Sequence, residues 1–263
     1  MFALNESDKK IGTVLLISSG KGGVGKSTVA SNLACAFKAL GKSVGILDAD
    51  IYGPSQFQMF GITEYEKNTS SKMNPTIAHD IEVMSSASLK KDNDAPMAWR
   101  GPMASLVLNS MIKTTQWTKD LDVLVVDMPP GTGDIQLEII KQYPKAKAVI
   151  VTTPQEVALI DTKKGIEMFI NNSIEILGIV ENMNHYICKS CGSIESIFGD
   201  SKVKDSVAKY NIDVLGQIPI VRDVAVQGDA GMPITLNQPD SIVAQCYVNI
   251  ANAIKFDPDT AQS

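Results

Sequence analysis

Short apolar runs alternate with longer amphipathic stretches along most of the chain. Residues 11–18 form the first run, and their length and apolar content are typical of a buried strand. Five further runs of this kind lie at 43–47, 121–126, 148–152, 175–180 and 213–217. A more polar segment, 64–96, interrupts the pattern and predicts loops with one short strand near 81–84.

The stretches between these runs show the helical spacing of apolar residues. They predict helices at 28–40, 104–113, 134–142, 156–170, 202–209 and 241–254. Strands that alternate with helices imply right-handed crossovers, a mainly parallel sheet and helices on both of its faces. In such an α/β fold, ligands bind at the carboxyl ends of the strands. We therefore expect one domain over residues 1–263, with its core at about 11–255 between short polar tails.

A glycine-rich loop follows the first predicted strand and reads Gly-Lys-Gly-Gly-Val-Gly-Lys-Ser-Thr over residues 20–28. Its glycines allow a bend that points backbone N–H groups at phosphate oxygens, and the next helix offers its positive N-terminal end. Lys26 is expected to reach the β- and γ-phosphates of ATP, and the Ser27 hydroxyl to bind Mg²⁺. The chain is therefore expected to be a P-loop NTPase. Its predicted loop contacts to the nucleotide are Gly20, Lys21, Gly22, Gly23, Val24, Gly25, Lys26, Ser27 and Thr28.

Lys21, directly after the first glycine, distinguishes this loop from an ordinary phosphate loop. A lysine at this place can reach the phosphates of a facing subunit, much as an arginine finger does. This predicts a homodimer in which Lys21 takes part in catalysis, and the alternative is a solvated lysine on an exposed loop. The spacing resembles the deviant Walker A pattern of the ATPase superclass that contains MinD, ParA, nitrogenase iron protein and the arsenite pump ATPase.

Acidic residues follow two of the predicted strands at the edge where phosphates are expected. Asp50 is the candidate for orienting the attacking water or a Mg²⁺-bound water. Asp127 ends the run Leu-Val-Val-Asp, which is the form of a Walker B carboxylate that holds the hydration shell of Mg²⁺. The turn at 128–134, rich in proline and glycine, is expected to move with the γ-phosphate as a switch. Asn182 and Pro219, at later strand ends, are candidates for binding the base.

Composition narrows the classes of function. The 263 residues are 44% apolar and 20% charged, as in a soluble globular domain, and no apolar stretch is long enough to span a membrane. The net charge of −5 weighs against nucleic acid as the main partner. Residues 1–10 include acids and no long apolar segment, so they do not resemble a secretory signal. We therefore expect a cytoplasmic protein with neither membrane nor nucleic acid as partner.

The four cysteines predict two kinds of site. Cys35 and Cys246 fall in predicted helices and are expected to be small core residues. Cys188 and Cys191 have C-x-x-C spacing on a predicted loop after a strand, where two thiolates can share a metal ion or an iron–sulfur cluster. Two thiolates are too few for a four-thiolate site, and a twofold partner supplies two more. A redox disulfide and a structural zinc site are the alternatives, and His185 is a candidate extra ligand.

Taken together, these motifs resemble the Mrp/ApbC family of iron–sulfur cluster carrier ATPases. The resemblance rests on the phosphate loop, Asp-Ala-Asp-Ile-Tyr-Gly-Pro-Ser at 48–55, Trp-Arg-Gly-Pro-Met at 99–103, Asp-Met-Pro-Pro-Gly-Thr-Gly-Asp at 127–134, and Glu-Asn-Met followed by the C-x-x-C pair. It implies ATP binding and hydrolysis, a homodimer, and a bridging [4Fe-4S] cluster that is passed to apo iron–sulfur proteins. Two cysteines alone do not distinguish such a cluster from Zn²⁺.

The sequence departs from the family pattern at two places. From the short segment before the first predicted strand, we expect neither the extra N-terminal domain of many bacterial relatives nor the N-terminal cysteine cluster of eukaryotic cytosolic ones. Residues 198–203, Phe-Gly-Asp-Ser-Lys-Val, stand where the family usually has a glycine-rich run.

Two rival classes of ATPase require other sequence features. A MinD- or ParA-like positioning ATPase needs a basic amphipathic C-terminal helix or a basic surface. A reductase like nitrogenase iron protein takes its cluster thiols from two separate segments per subunit.

Overall fold

The computed structural model describes residues 10–65, 73–89, 101–188 and 190–256. Each of the six apolar runs that predict a strand forms a strand within these described residues. The predicted tails lie outside the described residues, as do parts of the predicted loop region 64–96 and the Trp-Arg pair at 99–100. The strands are β1 (Ile11–Ser18), β2 (Val44–Asp48), β3 (Thr76–Ala78), β4 (Ile81–Ser85), β5 (Leu121–Asp127), β6 (Lys147–Thr152), β7 (Glu175–Ile187), β8 (Ile194–Glu195) and β9 (Val214–Ile220).

All of these strands belong to one sheet. Their order is β3, β4, β2, β5, β1, β6, β7, β8, and β9 also pairs with β7. The β3–β4 and β7–β8 pairs are antiparallel and the others are parallel, which confirms the predicted mainly parallel sheet. Ile17 of β1 lies opposite Asp127 of β5, and Asp48 of β2 lies opposite the same residue. The carboxyl ends of three neighbouring strands therefore meet at one edge, where the phosphate loop begins.

Helices cover both faces of the sheet, as predicted. Within the described residues they are α1 (Lys26–Ala39), α2 (Gln56–Met59), α3 (Gly101–Thr114), α4 (Asp134–Gln142), α5 (Glu156–Asn171), α6 (Val203–Val207), α7 (Arg222–Asp229), α8 (Ile234–Asn237) and α9 (Ile242–Ala253). Short 3-10 turns follow β4 and α6. None of the described helices is both long and apolar enough to cross a bilayer.

Each face of the sheet carries its own hydrophobic core, because successive residues of a strand point to opposite faces. Leu16 belongs to the core beneath α3, α4 and α5, whereas its neighbour Leu15 belongs to the core beneath α1 and α9. Phe37 and Tyr247 are buried in the second core. The two cores hold the central strands on both sides and so make a rigid base for the loops at their carboxyl ends.

Several predicted boundaries are wrong. α1 begins at Lys26 rather than at 28, because the left-handed Gly25 already ends the loop. β7 extends to Ile187 rather than ending at 180. Cys35 is fully buried as predicted, but Cys246 on α9 is only partly buried. The short helices α2, α7 and α8 were not predicted.

Candidate functional site

The phosphate loop connects β1 to α1 and has the backbone of an anion-binding turn. Gly23 and Gly25 both have a φ of 83°, a conformation that residues with a side chain rarely adopt. A Cβ on Gly22 or Gly23 would meet no atom within 4 Å, so the loop backbone faces open space. Gly25 caps α1 without a side-chain hydrogen bond, which leaves the first N–H groups of the helix available to an anion.

Lys26 is buried against Asp127 in this structure. Its Nζ lies 2.5 Å from Asp127 Oδ1 and 3.2 Å from Ser27 Oγ. The lysine is 6% exposed and the aspartate is fully buried, so water screens their attraction little. A phosphate group must therefore compete with Asp127 for this lysine. The structure brings three predicted site residues, Lys26, Ser27 and Asp127, into one cluster.

Asp48 belongs to the same cluster, although the sequence analysis favoured its neighbour Asp50. It ends β2 and is fully buried. Its Oδ2 accepts hydrogen bonds from the backbone N–H groups of Ser55, at 2.9 Å, and Gln56, at 3.0 Å. Burial, and after it the negative charge of Asp127, raises the pKa of Asp48 from 3.8 to about 7. The signal in the sequence was its position directly after the apolar run 43–47.

Gln56 is the other site residue that the sequence did not predict. It begins α2, and its Nε2 donates a hydrogen bond to Asp127 Oδ2 at 2.7 Å and to the Ser27 carbonyl at 3.2 Å. Both interactions are long-range in sequence, and no spacing rule connects an amide at 56 to a carboxylate at 127. Gln56 therefore joins the turn after β2 to the end of β5 and to the phosphate loop.

Asp50 and the predicted switch turn line the same cavity, of about 880 Å³. Asp50 is partly buried, which raises the pKa of its carboxyl group, while the positive charge of Lys26 opposes the shift. On the other wall, Gln136 Nε2 donates to the carbonyls of Pro129, at 3.2 Å, and Pro130, at 2.7 Å. This cavity gives Asp50 room to contact a water beside the switch turn. Its role as the water-orienting residue stays a prediction.

Two elements hold the phosphate loop from behind. Asn182 of β7 donates through Nδ2 to the Val24 carbonyl at 2.9 Å, and a Cβ on Gly25 would clash with this amide. Gly20 packs directly on the backbone of Asp161 in α5, with no space for a Cβ. Asn182, predicted to bind the base, thus contacts the loop backbone in this structure, and contact with a base stays a prediction.

The other base candidate, Pro219, is buried on β9. It lines a separate cavity of about 340 Å³ together with Tyr186, Arg222 and Ile242. This cavity offers apolar walls with a few polar groups, which is the usual character of a small-molecule pocket. The structure thus shows a concave surface at Pro219, and its occupant stays a prediction.

Lys21 is half-buried on the phosphate loop. The Ser19 hydroxyl donates to its backbone carbonyl at 3.0 Å and so fixes the backbone. Within the part of the chain that the structure describes, no carboxylate forms an ion pair with the Lys21 ammonium group. Its charge is therefore not neutralised by a described residue of its own subunit.

Cys188 and Cys191 lie in the turn of a β-hairpin. The sequence placed them on a loop after a strand ending at 180, but β7 continues to Ile187 and pairs with β8. Within the turn, the Cys188 N–H donates to the Ser193 carbonyl at 2.9 Å, and the Gly192 N–H donates to the Cys188 carbonyl at 2.8 Å. Cys188 is partly buried, Cys191 is exposed, and both are free thiols.

The two thiols are candidate metal ligands. Hydrogen bonds from Ser193 and Cys188 lower the pKa of Cys191, which favours the thiolate that metals bind. Among the described residues, no group of three or more His, Cys, Asp or Glu could hold a metal ion. His185 does not complete the site, and its Nδ1 lies 2.9 Å from Asn184 Oδ1. One chain therefore offers two thiolate ligands at an exposed turn.

The residues around the phosphate loop fit a Mg²⁺–nucleotide. The loop offers an open glycine backbone and a helix N-terminus to phosphates, and Lys26, Ser27 and Asp127 provide an ammonium group, a hydroxyl group and a carboxylate. Gln56 Oε1 adds a buried acceptor without a described hydrogen-bond partner. Such an orphan acceptor indicates a polar group that comes from outside the chain.

Comparison with known proteins gives consistent results. An iron–sulfur cluster carrier protein of Pseudomonas fragi is 48% identical over 244 residues, which cover 90% of this chain and 83% of that protein. The protein of the same description from Escherichia coli K12 is 47% identical over 244 residues, and the match covers 92% of this chain but 65% of that relative. This chain thus spans about two thirds of the length of the Escherichia coli protein.

A solved structure supports the fold and shows a nucleotide in a related protein. A nucleotide-binding protein from Archaeoglobus fulgidus, in complex with ADP, superposes with a TM-score of 0.73 at 34% identity, over 90% of this chain and 92% of that one. The model of a ParA family, described as the NUBPL iron-transfer P-loop NTPase, matches residues 10–255. The chain belongs to this family of iron-transfer P-loop NTPases.

Proposed function

We propose that this protein is an ATP-dependent carrier of iron–sulfur clusters. A homodimer holds one [4Fe-4S] cluster between the Cys188 and Cys191 thiolates of its two chains and transfers it to apo iron–sulfur proteins. The hairpin carries the proposal, because it presents two free thiols at an exposed turn with no third ligand among the described residues. A cubane cluster is usually held by four thiolates, so two chains complete the set. The carrier names of the relatives agree with this cargo.

The phosphate-loop cluster is proposed to bind and hydrolyse ATP. Mg²⁺, when bound, supplies positive charge to the phosphates. Lys26 leaves Asp127 for the phosphates, Ser27 provides a hydroxyl ligand, and Asp127 is then free to hold the hydration shell of the metal ion. Asp50, which faces the cavity beside the switch turn, orients the attacking water. Asn182 and Pro219 remain the candidates for the base.

Lys21 is proposed to act across the dimer. Its ammonium group has no described ion pair within its own subunit, and it sits on the loop that binds the phosphates. A facing copy therefore brings this charge to the partner's phosphates. The same twofold arrangement that completes the cluster ligands would thus complete the ATPase site.

β7 is proposed to couple the two sites. One part of this strand contacts the phosphate loop through Asn182, and its far end leads directly into the turn with Cys188. The pairing of β7 with β9 shifts between Asn182 and Tyr186, and Met183 has a left-handed φ of 56°. A change in the phosphate loop can therefore alter the orientation of the hairpin through one continuous strand. Movement of the switch turn at 128–134 is the proposed trigger.

A MinD-like positioning function has less support. The last described residues do not form a free amphipathic helix, because Ile254 is 4% exposed and the Phe256 ring packs on Phe37 with centroids 5.2 Å apart. The net charge of −5 also gives no electrostatic reason for binding nucleic acid or anionic lipid. We place the proposed activity in the cytoplasm, with apo iron–sulfur proteins as acceptors.

Anaerobic reconstitution with iron and sulfide tests the cargo. The reconstituted wild type should transfer its cluster to an apo-acceptor enzyme and activate it, whereas Cys188→Ala should bind and transfer little iron. Cys246→Ala is the matched control, since this partly buried thiol lies on α9 and outside the hairpin turn. Equal cluster transfer by the wild type and Cys188→Ala would contradict the proposed carrier function. Tight binding of Zn²⁺, with no iron–sulfur cluster under any condition, would instead favour a zinc-bridged dimeric ATPase.

A further inference from the structure

Gln56 occupies a buried position between the two carboxylates of the phosphate site. The residue is fully buried at the start of α2. Its backbone N–H donates to Asp48 Oδ2 at 3.0 Å, and its side-chain Nε2 donates to Asp127 Oδ2 at 2.7 Å. Nε2 also donates to the Ser27 carbonyl at 3.2 Å. One neutral residue therefore connects the ends of β2 and β5 with the first turn of α1.

These contacts fix which way the amide faces. Both partners of the side chain, the Asp127 carboxylate and the Ser27 carbonyl, are acceptors, so the nitrogen must face them. The amide oxygen then has no hydrogen-bond partner among the described residues, although it is buried. Ser55 Oγ, one residue earlier, is also buried without a described partner. Unpaired buried polar atoms are costly and uncommon, so the amide oxygen of Gln56 indicates a donor that the chain does not supply, and the unpaired hydroxyl of the preceding residue agrees with a polar group from outside the chain.

The charge of the site explains why an amide suits this position. Asp48 and Asp127 are both fully buried; Lys26 forms an ion pair with Asp127, and its positive charge also acts on Asp48. A third carboxylate would add repulsion, and an apolar residue would leave Asp127 Oδ2 without this hydrogen bond. Glutamine donates to Asp127 through its nitrogen and still presents an oxygen acceptor, without changing the net charge.

We propose that Gln56 is a positioning residue of the metal site: it orients Asp127 through its amide nitrogen, and its free oxygen accepts a hydrogen bond from the hydration shell of nucleotide-bound Mg²⁺. This inference rests on the proposed nucleotide function. Water that is bound to a cation is a strong hydrogen-bond donor and can satisfy the orphan oxygen. Gln56 thereby makes nucleotide affinity depend on the metal.

The test measures ADP affinity by calorimetry with Mg²⁺ and with EDTA. Gln56→Met keeps the length of the side chain but has neither donor nor strong acceptor. We expect it to lower the Mg²⁺-dependent gain in ADP affinity by about tenfold, which is the value of a hydrogen bond to a charged group. Affinity for ADP without metal should stay at the wild-type level. Gln58→Met, an exposed glutamine on the same helix, is the control and should behave as wild type.

Two results would overturn the inference. A full wild-type gain from Mg²⁺ in Gln56→Met means that the amide does not serve the metal site, and an equal loss with and without Mg²⁺ means a purely structural residue. Wild type that binds no ADP at all refutes the proposed nucleotide function itself, which distinguishes the two failures. If Gln56→Met does not fold, Gln56→Glu gives a second test. Its extra carboxylate beside Asp127 should make Mg²⁺-ADP raise its Tm more than that of wild type, and an equal rise would also overturn the inference.

Discussion

Three buried charged side chains dominate the site at the scale of single residues. Asp48 and Asp127 lie at the ends of adjacent strands, and Lys26 forms the ion pair with Asp127. Burial, and after it the negative charge of Asp127, raises the pKa of Asp48 to about 7, so this carboxyl group holds a proton more readily than an ordinary aspartate. The site is therefore sensitive both to protons and to the loss of the Lys26 charge.

The first prediction concerns pH and Asp48. Its pKa is about 7 in the folded protein against 3.8 for an ordinary aspartate, so the folded state keeps a proton that the unfolded state loses between these values. The free energy of unfolding should fall as pH rises through this window, with the stabilisation fully present below it. Asp48→Asn, which mimics the protonated form, should make the free energy of unfolding decrease less as pH rises. Urea unfolding without Mg²⁺ between about pH 5 and about pH 8 measures this, and an equal slope in both proteins would contradict it.

The second prediction concerns the ion pair. Lys26→Met leaves Asp127 buried without its cation, so the free energy of unfolding should fall by about 3–5 kcal/mol. Adding Asp127→Asn removes the uncompensated charge, and the double variant should be more stable than the sum of the two single effects predicts. Denaturant unfolding of the four proteins without nucleotide gives the coupling. Strict additivity would show that the pair does not interact as the structure indicates.

At the scale of elements, the central strands and long helices were predictable because each has a clear apolar period. The P-loop, Lys26, Ser27 and Asp127 follow from motif spacing and from the rule that parallel strands present their carboxyl ends at one edge. The sequence pattern did not predict the short helices α2, α7 and α8. α2 has four residues, which is about one turn, so it cannot display a helical period.

The end of β7 was missed for a different physical reason. Asn182, Asn184 and His185 are polar, so the apolar pattern stops although the backbone continues as a strand. Its extension is stabilised by pairing with β8 and β9, a long-range contact that the local sequence does not encode. The role of Gln56 was hidden in the same way, since its partner Asp127 is 71 residues away.

The third prediction concerns the packing of α5 on the phosphate loop. Gly20→Ala places a methyl group against the backbone of Asp161, where neither element can yield easily. The free energy of unfolding should fall by about 1–3 kcal/mol, as for other overpacked sites. Gly22→Ala is the matched control, because its Cβ would meet nothing within 4 Å, and it should change stability by less than about 0.5 kcal/mol. Equal stability of the two variants would contradict this packing.

At the scale of the whole molecule, the proposed function needs two things that one chain does not provide among its described residues. The hairpin offers two thiols without a third ligand among the described residues, and Lys21 carries a charge without a described partner. A twofold dimer would supply two more thiols to the cluster and would bring Lys21 to the phosphates of the partner. ATPase activity and cluster binding should therefore depend on the same association of two chains.

The fourth prediction tests Lys21 across the dimer by mixing variants. Lys21→Ala subunits keep a phosphate loop with Lys26, and Lys26→Ala subunits keep Lys21. In the mixed dimer, the partner's intact Lys21 should restore ATP turnover to the site that retains Lys26. Each variant alone should be nearly inactive, and unfolding curves must show that the Lys26→Ala subunit is folded. If ATP turnover does not recover when folded variants are mixed, this result contradicts the hypothesis that Lys21 acts across the dimer at sites that work independently.

The most direct test of the shared cluster is native mass spectrometry of the anaerobically reconstituted protein. We expect a species of two chains that carries about four iron and four sulfide atoms, as the four-thiolate stoichiometry requires. Cys188→Ala and Cys191→Ala should each lose this mass increment, while Cys246→Ala retains it. A cluster of the same composition on single chains, or one that persists in Cys188→Ala and Cys191→Ala, would contradict the account.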